Sequence, residues 1–165
     1  MNKKNYGLGF SLIELMIAIS IMMILISLTA INARFFNKAV IASELNLLHA
    51  TCHYLQQTAM ASNQPQELVF DITHNSYSAD GQIHTLPSIL RFGIMDAKGP
   101  PSSPHSTLHE PITFTNNTIT FSPDGIISSG TVYLTDSHML YALSSSVAHV
   151  SFLRKYRYDG KWHLM

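Results

Sequence analysis

Gly9-Phe10-Ser11-Leu12-Ile13-Glu14-Leu15-Met16-Ile17 opens the stretch of this sequence whose reading decides the fold. From Leu15 to Ala33 no charged residue occurs, and Leu, Ile, Met and Ala dominate. At 1.5 Å per residue a helix of that length spans roughly 28 Å, about the thickness of a bilayer core. The run is apolar on every face and lies near the start of the chain, so a membrane span is preferred to a buried helix of a soluble core. A cleaved signal peptide is the better rival, because Lys3 and Lys4 resemble its charged leader. Glu14 would then sit inside the apolar region, however, and no small-x-small cleavage site follows.

Glu14 is the informative residue. A carboxylate at the start of an apolar helix is costly unless it is paired or protonated. A free amine on Phe10, one turn upstream on the same or a neighbouring chain, would supply the cation, and the helix N-terminus itself favours negative charge. A carboxylate resting at headgroup depth without a partner is the other reading, and the residue alone leaves both open.

The stretch from Gly9 to Ile17 resembles the class III signal of type IV prepilins and pseudopilins. That signal joins a short basic leader ending in Gly to Phe, a Ser or Thr, two aliphatics, a Glu and a long apolar helix. The resemblance implies that a prepilin peptidase cuts between Gly9 and Phe10 and methylates the new amine of Phe10. It implies that Glu14 registers subunits during assembly by pairing with the amine of an adjacent Phe10. It also implies a single-pass protein of the bacterial inner membrane, with the C-terminal domain in the periplasm and other pilin or pseudopilin subunits as partners. Charge alone leaves orientation nearly tied, since Lys3 and Lys4 precede the span while Arg34 and Lys38 follow it. One departure stands out: many members carry Pro where this chain has Ile31, so no kink is built in there.

Past the span, Ile41, Leu45, Leu48, Cys52, Leu55 and Ala59 recur at alternating steps of four and three, one apolar stripe on a helix. No Pro or Gly interrupts Phe10 to Asn63, which predicts one helix of roughly 75–80 Å. Asn63-Gln64-Pro65 supplies its stop. Cys52 is the single cysteine, excludes an intramolecular disulfide, and fits the stripe as a small apolar side chain.

After Pro65 the periodicity changes to that of strands. Glu67–Ile72 and Ser76–Ala79 flank a turn at His74-Asn75, and Ile89–Met95 is a third candidate. Residues 96–111, with Gly99 and four prolines, read as a surface loop. Ile112–Thr115 and Thr118–Ser122 flank Asn116-Asn117; Thr131–Thr135, Met139–Leu143, Val147–Tyr156 and Trp162–Leu164 complete the set. Short strands and tight turns after one long helix predict an α+β fold, with the helix packed on antiparallel sheet in a pilin-like arrangement. The division is a leader at residues 1–9, a transmembrane or filament-core helix at 10–33, an amphipathic helix at 34–63 and a β-rich domain at 64–165.

The segment Ile112-Thr113-Phe114 through Ile119-Thr120-Phe121-Ser122-Pro123-Asp124-Gly125, then Ser129-Gly130-Thr131-Val132-Tyr133-Leu134, resembles the GspH/FimT domain. That domain shows an apolar-x-Phe-x-Pro-x-Gly turn, a Gly-containing stretch and a further strand.

No catalytic constellation is visible: there is no phosphate loop, metal cluster or nucleophile turn, and neither a metal nor a cofactor is expected. His49 and His53 are four apart on the helix, but no nearby acidic or cysteine residue completes a metal site; His105 and His109 have the same spacing in a Pro-rich loop and are likewise not read as a site. The chain carries no net charge and only 12% charged residues, which excludes a generally basic nucleic-acid binder. A local patch remains. Arg154, Lys155, Arg157 and Lys161, interleaved with Tyr156, Tyr158 and Trp162, have the composition that grips phosphates and stacks bases. FimT-like minor pilins are similar to DNA receptors with a basic C-terminal Gly-Arg-x-Arg type motif, of which Arg154-Lys155-Tyr156-Arg157 keeps only the basic spacing. An edge strand defended by its charges explains the same residues, and is preferred.

These features point to a non-enzymatic, minor pilin-like subunit of a type IV filament machine. A GspH-like pseudopilin of type II secretion comes first; a FimT-like minor pilin binding DNA during uptake is the alternative. A membrane-anchored periplasmic enzyme is the third reading, and would need a deep pocket of convergent polar groups.

Overall fold

In a computed structural model the chain is described over residues 11–101, 106–145 and 152–165, and the side chains of residues 28–36 fall outside that description. It divides into two units, one up to Val40 and one from Ile41 to Met165. A single helix, α1, runs Leu12–Ser62 as expected. In the first unit every described side chain from Leu12 to Ser27 is exposed, including the large apolar ones.

The second unit is built on the predicted stripe. Ile41, Leu45, Leu48, Cys52, Leu55 and Ala59 are each at most 2% exposed and form the helix side of the core. The helix stops where Asn63 turns left-handed, with φ of 54°, a conformation Asn tolerates better than most residues, two positions before Pro65.

The strands are β1 (Gln66–Asp71), β2 (Ser76–Ala79), β3 (Gln82–Thr85), β4 (Arg91–Phe92), β5 (Thr118–Phe121), β6 (Thr131–Thr135), β7 (Leu140–Ser145), β8 (Leu153–Tyr158) and β9 (Trp162–Leu164). They form two antiparallel sheets, ordered β3-β2-β1-β5 and β4-β6-β7-β8-β9. One face of each lies in the helix core. Leu68, Phe70, Tyr77, Ile119 and Phe121 come from the first sheet, and Val132, Leu134, Tyr141, Leu143 and Leu153 from the second. The α+β arrangement expected from the sequence, a helix on antiparallel sheets, is the one observed.

Several local expectations change. β3 is an additional strand: Ala79 pairs with Gln82, so Asp80-Gly81 is a two-residue hairpin loop, with φ of 49° and 73°. Both central residues have positive φ, as the favoured hairpin turn demands. Ile89–Met95 contracts to the two-residue β4. Ile112–Thr115 is not a strand. Ile112 makes only an isolated bridge to Val132, and Thr115–Asn117 is a 3₁₀ turn in which Asn116 and Asn117 are left-handed. β5 therefore pairs with β1 instead of with its sequence neighbour. β8 begins at Leu153, and residues 147–151 of the expected strand lie outside the described residues.

The Phe121-Ser122-Pro123-Asp124-Gly125 motif is structural. Phe121 is buried, the Gly125 amide donates to the Ser122 carbonyl (2.9 Å), and Gly125 has φ of 83°. Gln56 of α1 donates to the Gly125 carbonyl (2.7 Å), so the turn is tied to the helix.

On the far face of the second sheet, Ala97, Tyr133, Leu140 and Ala142 form a separate buried cluster, flanked by Tyr156, Tyr158 and Trp162. Described residues of the Pro-rich loop, Ala97 to Gly99 and Leu108, meet this face. Trp162 Nε1 donates to the Gly99 carbonyl (2.6 Å), and the Lys98 amide donates to the Tyr158 hydroxyl (3.3 Å).

Candidate functional site

Two places were expected to carry function: the junction at Phe10 with Glu14, and the basic C-terminal segment. Gly9 and Phe10 lie outside the described residues. Just beyond them, the Ser11 carbonyl accepts from the amides of Glu14 (3.0 Å) and Leu15 (3.2 Å), which starts α1. Glu14 thus sits in the first turn, where unsatisfied amides favour a carboxylate. Among the described residues Glu14 makes no ion pair. Along the following run the two serines are satisfied internally. Ser20 donates to the Met16 carbonyl (2.8 Å) and Ser27 to that of Met23 (2.9 Å), so neither hydroxyl needs water. Among the described residues no helix is long and apolar enough to cross a membrane. The expected span also takes in Phe10 and the side chains of residues 28–33, which lie outside them.

The basic segment occupies β8 and the turn to β9, and strand alternation divides it. Lys155 and Arg157 share the helix-side face with Leu153, opposite Leu143 and Tyr141. Arg154 shares the far face with Tyr156 and Tyr158. Lys155 donates to Asn46 Oδ1 of α1 (2.6 Å), and Arg157 reaches Asp159 (3.3 Å). Arg154 lies over the Phe152 ring, 4.4 Å from its centroid, a cation–π contact. The Tyr158 and Trp162 rings lie 5.0 Å apart at a tilt of 56° and bond Lys98 and Gly99 of the Pro-rich loop, so these aromatics are engaged in packing. β8 is not an edge strand: it lies between β7 and β9. The division was readable from the alternation of Arg154, Lys155, Tyr156 and Arg157; the loop contact, between residues more than sixty positions apart, was not.

His49 Nε2 donates to the Leu153 carbonyl (3.3 Å) and stands edge-on to His53 at 4.5 Å. Its pKa is lowered, first by burial and, against the effect of that hydrogen bond, by neighbouring His53 and Lys155. No group of three metal-binding side chains occurs among the described residues, and His105 lies outside them. Cys52 is buried among the helix stripe, which pushes its thiol up to about 12. On the surface, a groove of about 480 Å³ lies between α1 and the β2–β3 hairpin, and one of about 440 Å³ lies by Pro100, Thr131, Ser144 and Arg154.

Comparison with family models returns two matches. Residues 5–30 match the prokaryotic N-terminal methylation motif, which takes in Gly9, Phe10 and Glu14. Residues 44–151 match the type II transport protein GspH, well over half of the chain. The basic residues from Arg154 to Lys161 lie beyond that match. No match is found among curated proteins or among solved structures.

Proposed function

Because this chain belongs to the GspH family and is a minor pilin or pseudopilin, we propose that it serves as a GspH-like pseudopilin of a type II secretion system. In this reading residues 1–9 are a leader that a prepilin peptidase removes, and Phe10 becomes the methylated N-terminus. Residues 10–33 anchor the chain in the inner membrane before assembly and lie in the filament core afterwards. Residues 34–63 and 64–165 form the periplasmic domain, and the role is structural, not catalytic. Glu14 pairs with the amine of Phe10 on a neighbouring subunit. The observation that carries this reading is the pair of family matches on one chain, with Glu14 in the first turn of a helix whose described apolar side chains from Leu12 to Ile26 are exposed. Replacing Glu14 by Ala should leave the chain processed and membrane-bound yet absent from sheared filaments. Incorporation at the wild-type level would count against the role.

The alternative is a FimT-like minor pilin that binds DNA, and one observation favours it: Arg154 and Lys161 are exposed and make no ion pair among the described residues. Against it stand the division of the basic residues over two faces and the engagement of Tyr158 and Trp162 with the loop. DNA retention by the wild type and by Arg154→Ala/Arg157→Ala separates the readings. The secretion reading expects weak retention that the substitutions leave unchanged; a salt-sensitive loss would favour the DNA receptor.

A further inference from the structure

The first sheet ends on β3, which pairs with no described strand on its outer side, and residues of α1 line a groove beside it. β3 closes the Asp80-Gly81 hairpin, so Ala79 and Gln82 form the hydrogen-bonded pair next to the loop. Alternation then makes Tyr77–His84 hydrogen-bonded and Ser78–Ile83 and Ser76–Thr85 non-hydrogen-bonded. The Leu86 amide donating to Asn75 (2.9 Å) fits this phase. It follows that Ile83 and Thr85 direct their N–H and C=O groups away from β2. Among the described residues no backbone group meets them.

The groove of about 480 Å³ lies beside this edge. Its floor is Leu47, Ala50, Thr51 and Tyr54 of α1; its sheet wall includes Gln82 and His84. Leu47 and Tyr54 are 44% and 56% exposed although they border the core stripe, and Ile83 on the opposite face is 76% exposed. One further strand, about 4.8 Å beyond β3, would cover both sides at once. Its inward side chains would land on Leu47 and Tyr54, and its outward ones beside Ile83.

Other edges are protected. β5 is covered by residues 126–128 through Ser122–Ile126 and Thr120–Ser128 hydrogen bonds. β4 has two residues, and β9 has three with Lys161 beside them. β3 has neither Lys, Pro nor bulge, the usual guards against pairing. Charge selects the occupant further. Asp80 lines the groove, Glu44 is held beside it by His84 (2.9 Å), and no Lys or Arg lines it.

We propose that the free edge of β3 and the groove beside it receive an extended segment of a different pilin-like subunit, apolar on both faces and bearing a Lys or Arg opposite Asp80, by β-strand addition. The proposal rests on the filament-subunit reading and names a contact surface for it.

The test uses the full-length chain in its own membrane, with a photoreactive benzoylphenylalanine in place of Gln82. Mass spectrometry identifies the cross-linked peptide. Ile83→Pro removes an outward N–H without touching the β2 ladder; Ile83→Thr keeps that N–H and loses the apolar side chain. Asp80→Lys reverses the charge. The expected result is a cross-link to an extended, basic segment of another chain carrying the N-terminal methylation motif. It should persist in Ile83→Thr and fall to background in Ile83→Pro and Asp80→Lys. A cross-link to a helix, to lipid or to a second copy overturns the proposal, as does no cross-link, or one that survives both disruptive variants. If thermal melting shows that Ile83→Pro disturbs the fold, Asp80→Lys decides alone, loss supporting and retention overturning. The N-terminus is read from the same sample: processing at Phe10 without the cross-link sinks only the groove, whereas an uncleaved chain sinks the filament reading itself.

Discussion

At Gly130 the molecule shows how a single missing side chain positions a strand. A Cβ built there would lie 2.5 Å from Cδ1 of Phe114, a residue that is 3% exposed. The neighbouring Thr113 and Thr131 interlock, with the Thr113 amide donating to the Thr131 carbonyl and the Thr131 amide to Thr113 Oγ1. The ring therefore has little freedom to move. Gly130→Ala should destabilise the domain by about 1–3 kcal/mol in a thermal or denaturant melt, the usual cost of overpacking. A variant as stable as the wild type would show that the close approach is not restrictive. Cys52 makes a second point at this scale. Its burial and raised pKa leave almost no accessible thiolate, so a maleimide should label it only after denaturation. Rapid labelling of the native chain would mean that the helix stripe opens readily. That Cys52 belongs to the core was readable from its place in the stripe; that Gly130 meets Phe114 was not, because it depends on a non-local approach of two loops.

At the scale of elements, polar contacts join α1 to the strands besides its apolar stripe. Glu44 meets His84 of β3, Asn46 meets Lys155 of β8, and His49 meets the Leu153 carbonyl. His49 gives these contacts a pH dependence. Its folded pKa is lowered from about 6.5, so below that value the unfolded chain takes up more protons than the folded one. Its contribution is complete above the unfolded pKa and is lost as pH falls through and below it. His49→Gln should therefore narrow the gap between melting temperatures measured at about pH 7.5 and about pH 5.5. An unchanged gap would assign the acid sensitivity to other groups. The stripe itself was legible because a period of 3.6 is local. The sheet order was not, since β1 lies between β2 and β5, strands that β3, β4 and the Pro-rich loop separate in sequence. Asp80-Gly81 lies between: it is a strong hairpin signal, and a reading that ends the hairpin at Ala79 misses β3 and with it the free edge.

For the whole molecule, the N-terminal methylation motif and the GspH match describe different stretches of one chain, residues 5–30 and 44–151. The first concerns maturation and assembly; the second concerns the domain that a filament would display. The N-terminal methylation motif was legible because it is a local sequence pattern. The choice of machine was not, because it depends on partners that recognise folded surfaces, such as the β3 edge. The central claim is that this is a processed filament subunit, and the intact mass of the mature chain purified from membranes tests it most directly. The account predicts a chain that begins at Phe10 and carries one added methyl group on its amine. A chain that retains Met1 to Gly9 would contradict it.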